Sequence, residues 1–182
     1  VVKKGDLVKV GTLIAKAGGF VSANIHSSVS GKVNKIDNAL DSSGYKRPAI
    51  YIDVEGDEWE ETIDRSETLV KDCTLSSKEI VDKIAAAGIV GLGGATFPTQ
   101  VKLMPPPGSK AEIIIINAVE CEPYLSCDNI SVRRNVEKLI RGIKYILKAI
   151  GAPKAVIAIK KDKREVIDAL NKVLQKHNNV TL

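Results

Sequence analysis

The apolar positions of the first third of the chain fall in short β-branched runs parted by glycine: residues 7–10, 13–15, Ile25, Val29, 32–36 and 50–54. This spacing predicts a small all-β unit over residues 1–54. The acidic stretch from Glu55 to Glu61 and the polar residues after it offer little to bury, which predicts a linker over 55–75. From Ser76 the period lengthens. Ser76 or Ser77 is placed to cap a helix, Glu79 stands where a capping-box acid reaches back, and Ile80, Ile84 and Ala87 form one apolar side ending at Gly88. A glycine-rich loop (91–99) and a proline loop (105–108) lead to the all-apolar strand 113–116, a pattern that predicts burial on both faces, as in a parallel sheet. After an acidic loop at 120–128, Val132, Val136, Leu139, Ile140, Ile143, Leu147 and Ile150 recur at spacings of three and four. They predict one long helix stopped by Gly151. A second strand over 155–159, a helix over 163–176 and the start of a third strand at 180–182 complete the series. The alternation predicts an α/β fold over 76–182, a parallel sheet joined by helical crossovers and cut off at its third strand.

Composition narrows the class: 44% hydrophobic and 27% charged residues are globular proportions, which exclude a disordered or fibrous chain. No apolar run approaches the roughly 18 residues of a membrane span, so a soluble chain without membrane insertion is expected. The charge is uneven. Residues 1–70 hold 9 basic and 11 acidic side chains, and residues 71–182 hold 18 and 11. A basic second half could meet nucleic acid or an anionic ligand, but Tyr145 is the one aromatic within its most basic stretch, 132–176, and no nucleic-acid motif accompanies it. Nucleic acid is therefore not expected as a partner. Cys73, Cys121 and Cys127 form neither a disulfide framework nor, with His26 and His177, a zinc spacing. A reduced, cytoplasmic protein with no bound metal is expected. The start at Val1, without Met or signal segment, points to a piece of a longer polypeptide.

Two stretches carry candidate chemistry. In the first, the Gly5-Asp6 turn and the Gly31-Lys32-Val33 end are similar to a biotinyl or lipoyl carrier domain. Phe20 stands where the carrier's modified lysine belongs, and without an amine no biotinyl or lipoyl amide forms. In the second, glycines at 88, 91, 93 and 94 followed by Lys102 suit a phosphate cradle, since glycine lets backbone N–H groups approach an anion. The loop is no Walker sequence, and it fails the dinucleotide fingerprint at Thr96. Beyond the apolar strand, Asn117, Glu120 and Glu122 place an amide and two carboxylates at a strand's C-terminal end, where open α/β sheets bind ligands. Together these groups suggest a nucleotide or flavin site.

The two stretches resemble the RnfC subunit of ion-translocating ferredoxin:NAD oxidoreductases, which is related to the flavin-bearing subunit of respiratory complex I. Gly91-Leu92-Gly93-Gly94-Ala95-x-Phe97-Pro98-Thr99 with Lys102-Leu103 is similar to the family's flavin loop, and Asn117-Ala118-x-Glu120-Cys121-Glu122-Pro123-Tyr124 to its second flavin and nicotinamide segment. Residues 1–54 resemble its β-hybrid domain, and 76–182 part of its Rossmann-like FMN and NADH domain. The resemblance implies FMN contacts from Gly91, Gly93, Lys102 and Asn117, with Glu120 nearby, and NADH contacts from Phe97 and Glu122. It implies no catalytic side chain, because hydride acceptance belongs to the flavin. It also implies partner subunits of an electron-transfer complex, reached at the cytoplasmic face of a membrane. Two departures bear on function. Thr96 replaces the family's glycine, which predicts a restricted loop and weakened FMN binding, and the iron–sulfur cysteine motifs lie outside the chain. A non-catalytic docking scaffold with a disabled flavin site is the alternative. Relatives serve other routes as well, among them a clostridial protein associated with proline reductase.

Overall fold

The computed structural model describes residues 1–70, 72–122 and 124–182. They form two compact units, one of residues 1–67 with 83–101, the other of 68–82 with 102–182.

In the first unit the short apolar runs become strands β1 (Leu7–Val8), β2 (Leu13–Ala15), β3 (Ile25–His26), β4 (Gly31–Leu40) and β5 (Lys46–Val54). Antiparallel pairing joins them in the order β1-β4-β5, with β2 and β3 forming a second small sheet. Val8, Ile14 and Val33 make its buried core, with Ile50 and Ile52 packed against it. Glycine is required at Gly31, where φ is +149° and a Cβ would lie 2.0 Å from the Asp53 carbonyl oxygen. β4 and β5 run longer than their apolar cores predict, up to a turn closed by Asp41, whose Oδ1 accepts the N–H groups of Ser43 and Tyr45. Phe20, at the carrier-lysine position, is exposed.

The stretch read as a linker, 55–75, is engaged at both ends. In the first unit Val10 pairs with the 58–60 segment, accepting from Glu60 and donating to Glu58. In the second, Tyr145 donates to the Val70 carbonyl at 2.8 Å and Lys148 to that of Cys73 at 2.6 Å.

Helix α1 (Ser77–Ala86) starts with the capping box expected for it: the Glu79 carboxylate accepts from the Ser76 N–H at 2.7 Å, and the Ser76 hydroxyl accepts from the Glu79 N–H at 3.3 Å. A short helix α2 (Thr99–Lys102) and strand β6 (Ile114–Asn117) follow. The single helix expected next is two, α3 (Cys127–Arg134) and α4 (Val136–Ile150), broken at Asn135. Asn135 leaves helical geometry at φ −132° and ψ 33° and turns its side-chain amide back to the Ser131 carbonyl. Gly151 ends α4 in the left-handed region, as its position predicts.

Strands β7 (Ala155–Ala158) and β8 (Val180–Thr181), with α5 (Arg164–Leu174) between them, complete the parallel order β6-β7-β8. Ile140, Ile143 and Leu147 of α4 and Val166 and Leu170 of α5 share one core with Ala155, Ile157 and Val180, against which Ile114 and Ile116 also pack. Strand alternation puts these sheet residues on one face. Burial of β6 on both faces is therefore not found: Ile115, pointing the other way, is 67% exposed. Both helices cover the same side, so an all-apolar strand has one face open in this chain. No described helix is long and apolar enough to cross a membrane.

Candidate functional site

After α1 the chain reverses at Gly88, whose φ of +66° and close approach to the Asn24 carbonyl leave no room for a Cβ. Asn24 donates to the Ala86 carbonyl at 3.2 Å, and buried Gln100 donates to that of Ser22 at 2.9 Å. These bonds hold both stems of the glycine loop to the 16–24 turn of the β unit. That is why the loop belongs to the first compact unit although its motif adjoins the α/β segment. The base is closed by hydrogen bonds from the Gly91 N–H to the Phe97 carbonyl at 2.9 Å and from the Thr99 N–H to the Ile89 carbonyl at 3.0 Å.

Above that base, residues 92–96 are exposed, and the N–H groups of residues 92–97 make no main-chain hydrogen bond among the described residues. Gly93 and Gly94 face open space, with no atom within 4 Å of where a Cβ would stand. Gly94 lies at φ +106° and Thr96 at φ +48°, with the Thr96 hydroxyl donating to the Ala95 carbonyl at 2.8 Å. Thr96 thus takes a glycine-type backbone despite its branched Cβ, and the loop keeps its turn. Phe97 is partly exposed, and Lys102 is exposed at the end of α2 without an ion pair among the described residues.

The second cluster lies in the other unit. Asn117 ends β6, and its side-chain oxygen accepts the Val119 N–H at 3.1 Å, bending the chain out of the strand. Glu120 then turns inward and is 7% exposed. Its Oε1 accepts the N–H groups of Asp128 at 3.1 Å and Asn129 at 3.2 Å, supplying the cap that Ser126 does not give to α3. Its Oε2 lies 3.2 Å from the Lys163 ammonium. Burial pushes the Glu120 carboxyl up, but the Asn129 N–H, the Lys163 ammonium and the Asp128 N–H outweigh it and hold the group below its ordinary value of 4.5. Glu122 is exposed, as are Cys121 and Cys127. Tyr124 is fully exposed at φ +65°.

The expected residues therefore form two groups, Gly91, Gly93 and Phe97 on one loop of the first unit, and Asn117, Glu120 and Glu122 on another in the second, while Lys102, at the end of α2, is the first residue of the second unit's 102–182 segment. Within the second, Glu120 is committed to the protein's own groups, whereas Asn117 and Glu122 are open. Pro123, part of the second motif, lies outside the described residues. Sequence reasoning missed Lys163, which reads only as the first residue of a helix, and the left-handed turn at Tyr124. Neither leaves a signal in local spacing.

Comparison with known proteins finds two families along the chain. The family described as RnfC barrel sandwich hybrid domain matches residues 1–57, and the family described as Nuo51 FMN-binding domain matches residues 84–182. The chain is 46% identical, over 96% of its length and 38% of the relative's, to a subunit of the proton-translocating ferredoxin:NAD(+) oxidoreductase complex of Clostridium ljungdahlii. It is 38% identical to the corresponding subunit of the Na(+)-translocating ferredoxin:NAD(+) oxidoreductase complex of Acetobacterium woodii, covering 96% of this chain and 39% of that one. Its counterpart in the ion-translocating oxidoreductase complex of Rhodobacter capsulatus is 40% identical, covering 94% and 33%. The chain spans under two fifths of the length of these relatives. With one family matched over more than half of its residues and the other over its start, the chain belongs to the Nuo51 FMN-binding domain family, in the RnfC-like arrangement that sets a barrel sandwich hybrid domain before it.

Proposed function

We propose that this chain is the FMN- and NADH-binding part of an electron-transfer subunit whose iron–sulfur clusters lie elsewhere in a longer protein. The observation that carries the reading is the glycine loop, an exposed run of N–H groups without main-chain partners among the described residues, with open space at Gly93 and Gly94 and an exposed lysine on the helix that follows. Such a run suits an anionic phosphate, and Lys102 adds a point charge. Gly91, Gly93, Lys102 and Asn117 hold FMN, while Phe97 and Glu122 face NADH. FMN, when bound, supplies the hydride chemistry and the exchange of two electrons for single ones. The protein's own part is to anchor the phosphate, orient the rings and exclude side reactions. Other subunits of an electron-transfer complex are its partners, and through them the protein sits peripherally on the cytoplasmic face of a membrane.

The test is FMN titration, followed by flavin fluorescence quenching, of the full-length protein and this chain side by side. Full-length protein is expected to bind FMN, and Lys102→Ala to weaken binding by about tenfold, the loss of one charge-assisted contact. Unchanged flavin content in that variant would remove Lys102 from the site. The Thr96 methyl and hydroxyl on the loop favour the second reading, a docking scaffold without flavin, which predicts a colourless full-length protein.

A further inference from the structure

We propose that the corner between α3 and α4 is a docking groove for a short acidic segment of a partner protein, one that carries an apolar side chain among its carboxylates. A cleft of about 400 Å³ opens where the chain breaks at Asn135, between the end of α3, the start of α4 and the segment that runs in at Leu69. The break makes the corner, since Asn135 turns its amide back to the Ser131 carbonyl and caps no N–H of α4. The segment at Leu69 is held by its main chain. Tyr145 of α4 donates to the Val70 carbonyl and Lys148 to that of Cys73, so the Leu69 side chain is left to form one apolar wall of the cleft and Val136 the other.

The charges of the cleft are unequal. Arg133, Arg134 and Lys138 line it against a single carboxylate, Glu137. Arg133 is engaged with Glu165 of α5 at 2.6 Å, whereas Arg134 and Lys138 are exposed and have no ion pair among the described residues. Cations gathered without counter-charge repel one another and raise the local potential, so the groove favours an incoming anion. Its walls select among anions. A lone phosphate would meet the cations and leave Leu69 and Val136 against water. A nucleic acid needs stacking surfaces, and none of the lining residues is aromatic. An acidic peptide segment answers both parts at once: its carboxylates meet Arg134 and Lys138, and an apolar side chain between them sits on Leu69 and Val136. That this segment belongs to another subunit of an electron-transfer complex rests on the functional reading above; the groove itself does not.

The test uses the full-length protein and a fluorescein-labelled peptide with glutamates on both sides of one leucine, followed by fluorescence polarisation at low ionic strength. Saturable binding is expected, weakened about tenfold by Arg134→Ala combined with Lys138→Ala and weakened by added salt. Replacing the peptide's leucine by serine is expected to cost about tenfold against wild type and nothing more against Leu69→Ser, because the two side chains meet. Lys32→Ala, at an exposed position of β4 in the first unit, is expected to change nothing. Should Leu69→Ser unfold, the Arg134 and Lys138 variant, which alters exposed side chains only, decides. No saturable binding, equal affinity for the leucine-free peptide, the same loss from Lys32→Ala, or displacement of the peptide by inorganic phosphate or duplex DNA at matched charge overturns the proposal. FMN titration of the same samples is read separately. A full-length protein without flavin that binds the peptide sinks the flavin reading alone, and one with flavin that does not bind it sinks the groove alone.

Discussion

Thr96 holds a β-branched side chain at φ +48°, a region that costs an L-residue roughly 1–2 kcal/mol and that glycine occupies freely. The loop's closure at Gly91 and Phe97 and its stems on the 16–24 turn over-determine that conformation, so the strain is carried rather than relaxed. Thr96→Gly is therefore expected to stabilise the protein by about 1 kcal/mol, read from the urea midpoint, and to leave FMN affinity equal or higher. A lower midpoint would show that the Thr96 hydroxyl bond to Ala95 outweighs the strain. The motif itself was legible from residue types, since glycines, lysine and strand-end polar groups announce an anion site wherever they fold. Which of them stay open was not. Glu120 and Glu122 look alike in sequence, two positions apart in one motif, and only the inward turn after Asn117 commits one to the protein and leaves the other exposed.

Elements formed where periodicity and caps agreed. The Ser76 to Glu79 capping box, the αL stop at Gly151 and the strand of alternating burial at β7 each follow from local chemistry. The break at Asn135 escaped because the apolar spacing of α3 and α4 runs through it without a gap. The readable signal was the residue itself, since asparagine is a poor helix interior and a favoured N-cap. Gly88 shows how a helix end is also a packing site. Its Cβ would stand 2.2 Å from the Asn24 carbonyl oxygen at a φ of +66°. Gly88→Ala is expected to cost about 2 kcal/mol or more, combining left-handed strain with the displaced backbone contact. A thermal midpoint within error of wild type would mean that the 16–24 turn gives way at little cost.

At the scale of the whole molecule, acidity is the expected weak point. His177, in the turn between α5 and β8, has a buried Nδ1 without a partner among the described residues. Burial, then the Lys144 ammonium, holds its pKa below the ordinary 6.5, against an opposing pull from Glu137 that is larger than the further lowering by Arg141 or by Lys176. The unfolded chain thus takes up the proton more readily, and stability present above pH 6.5 is lost as pH falls through the folded value. Glu120, also held low, adds a second loss below its ordinary 4.5. Urea midpoints are expected to fall between about pH 7.5 and pH 5, and His177→Gln to flatten that drop; an equal drop in the variant would clear His177. By itself the sequence determined the kind of each element, the all-β start, the parallel α/β remainder and the family to which the motifs point, because periodicity, caps and glycine placement act over a few neighbouring residues. Only the tertiary structure decided which face of β6 is covered, which unit holds the glycine loop, and which carboxylate meets Lys163. Those outcomes depend on contacts between residues far apart along the chain, whose partners leave no mark in local spacing.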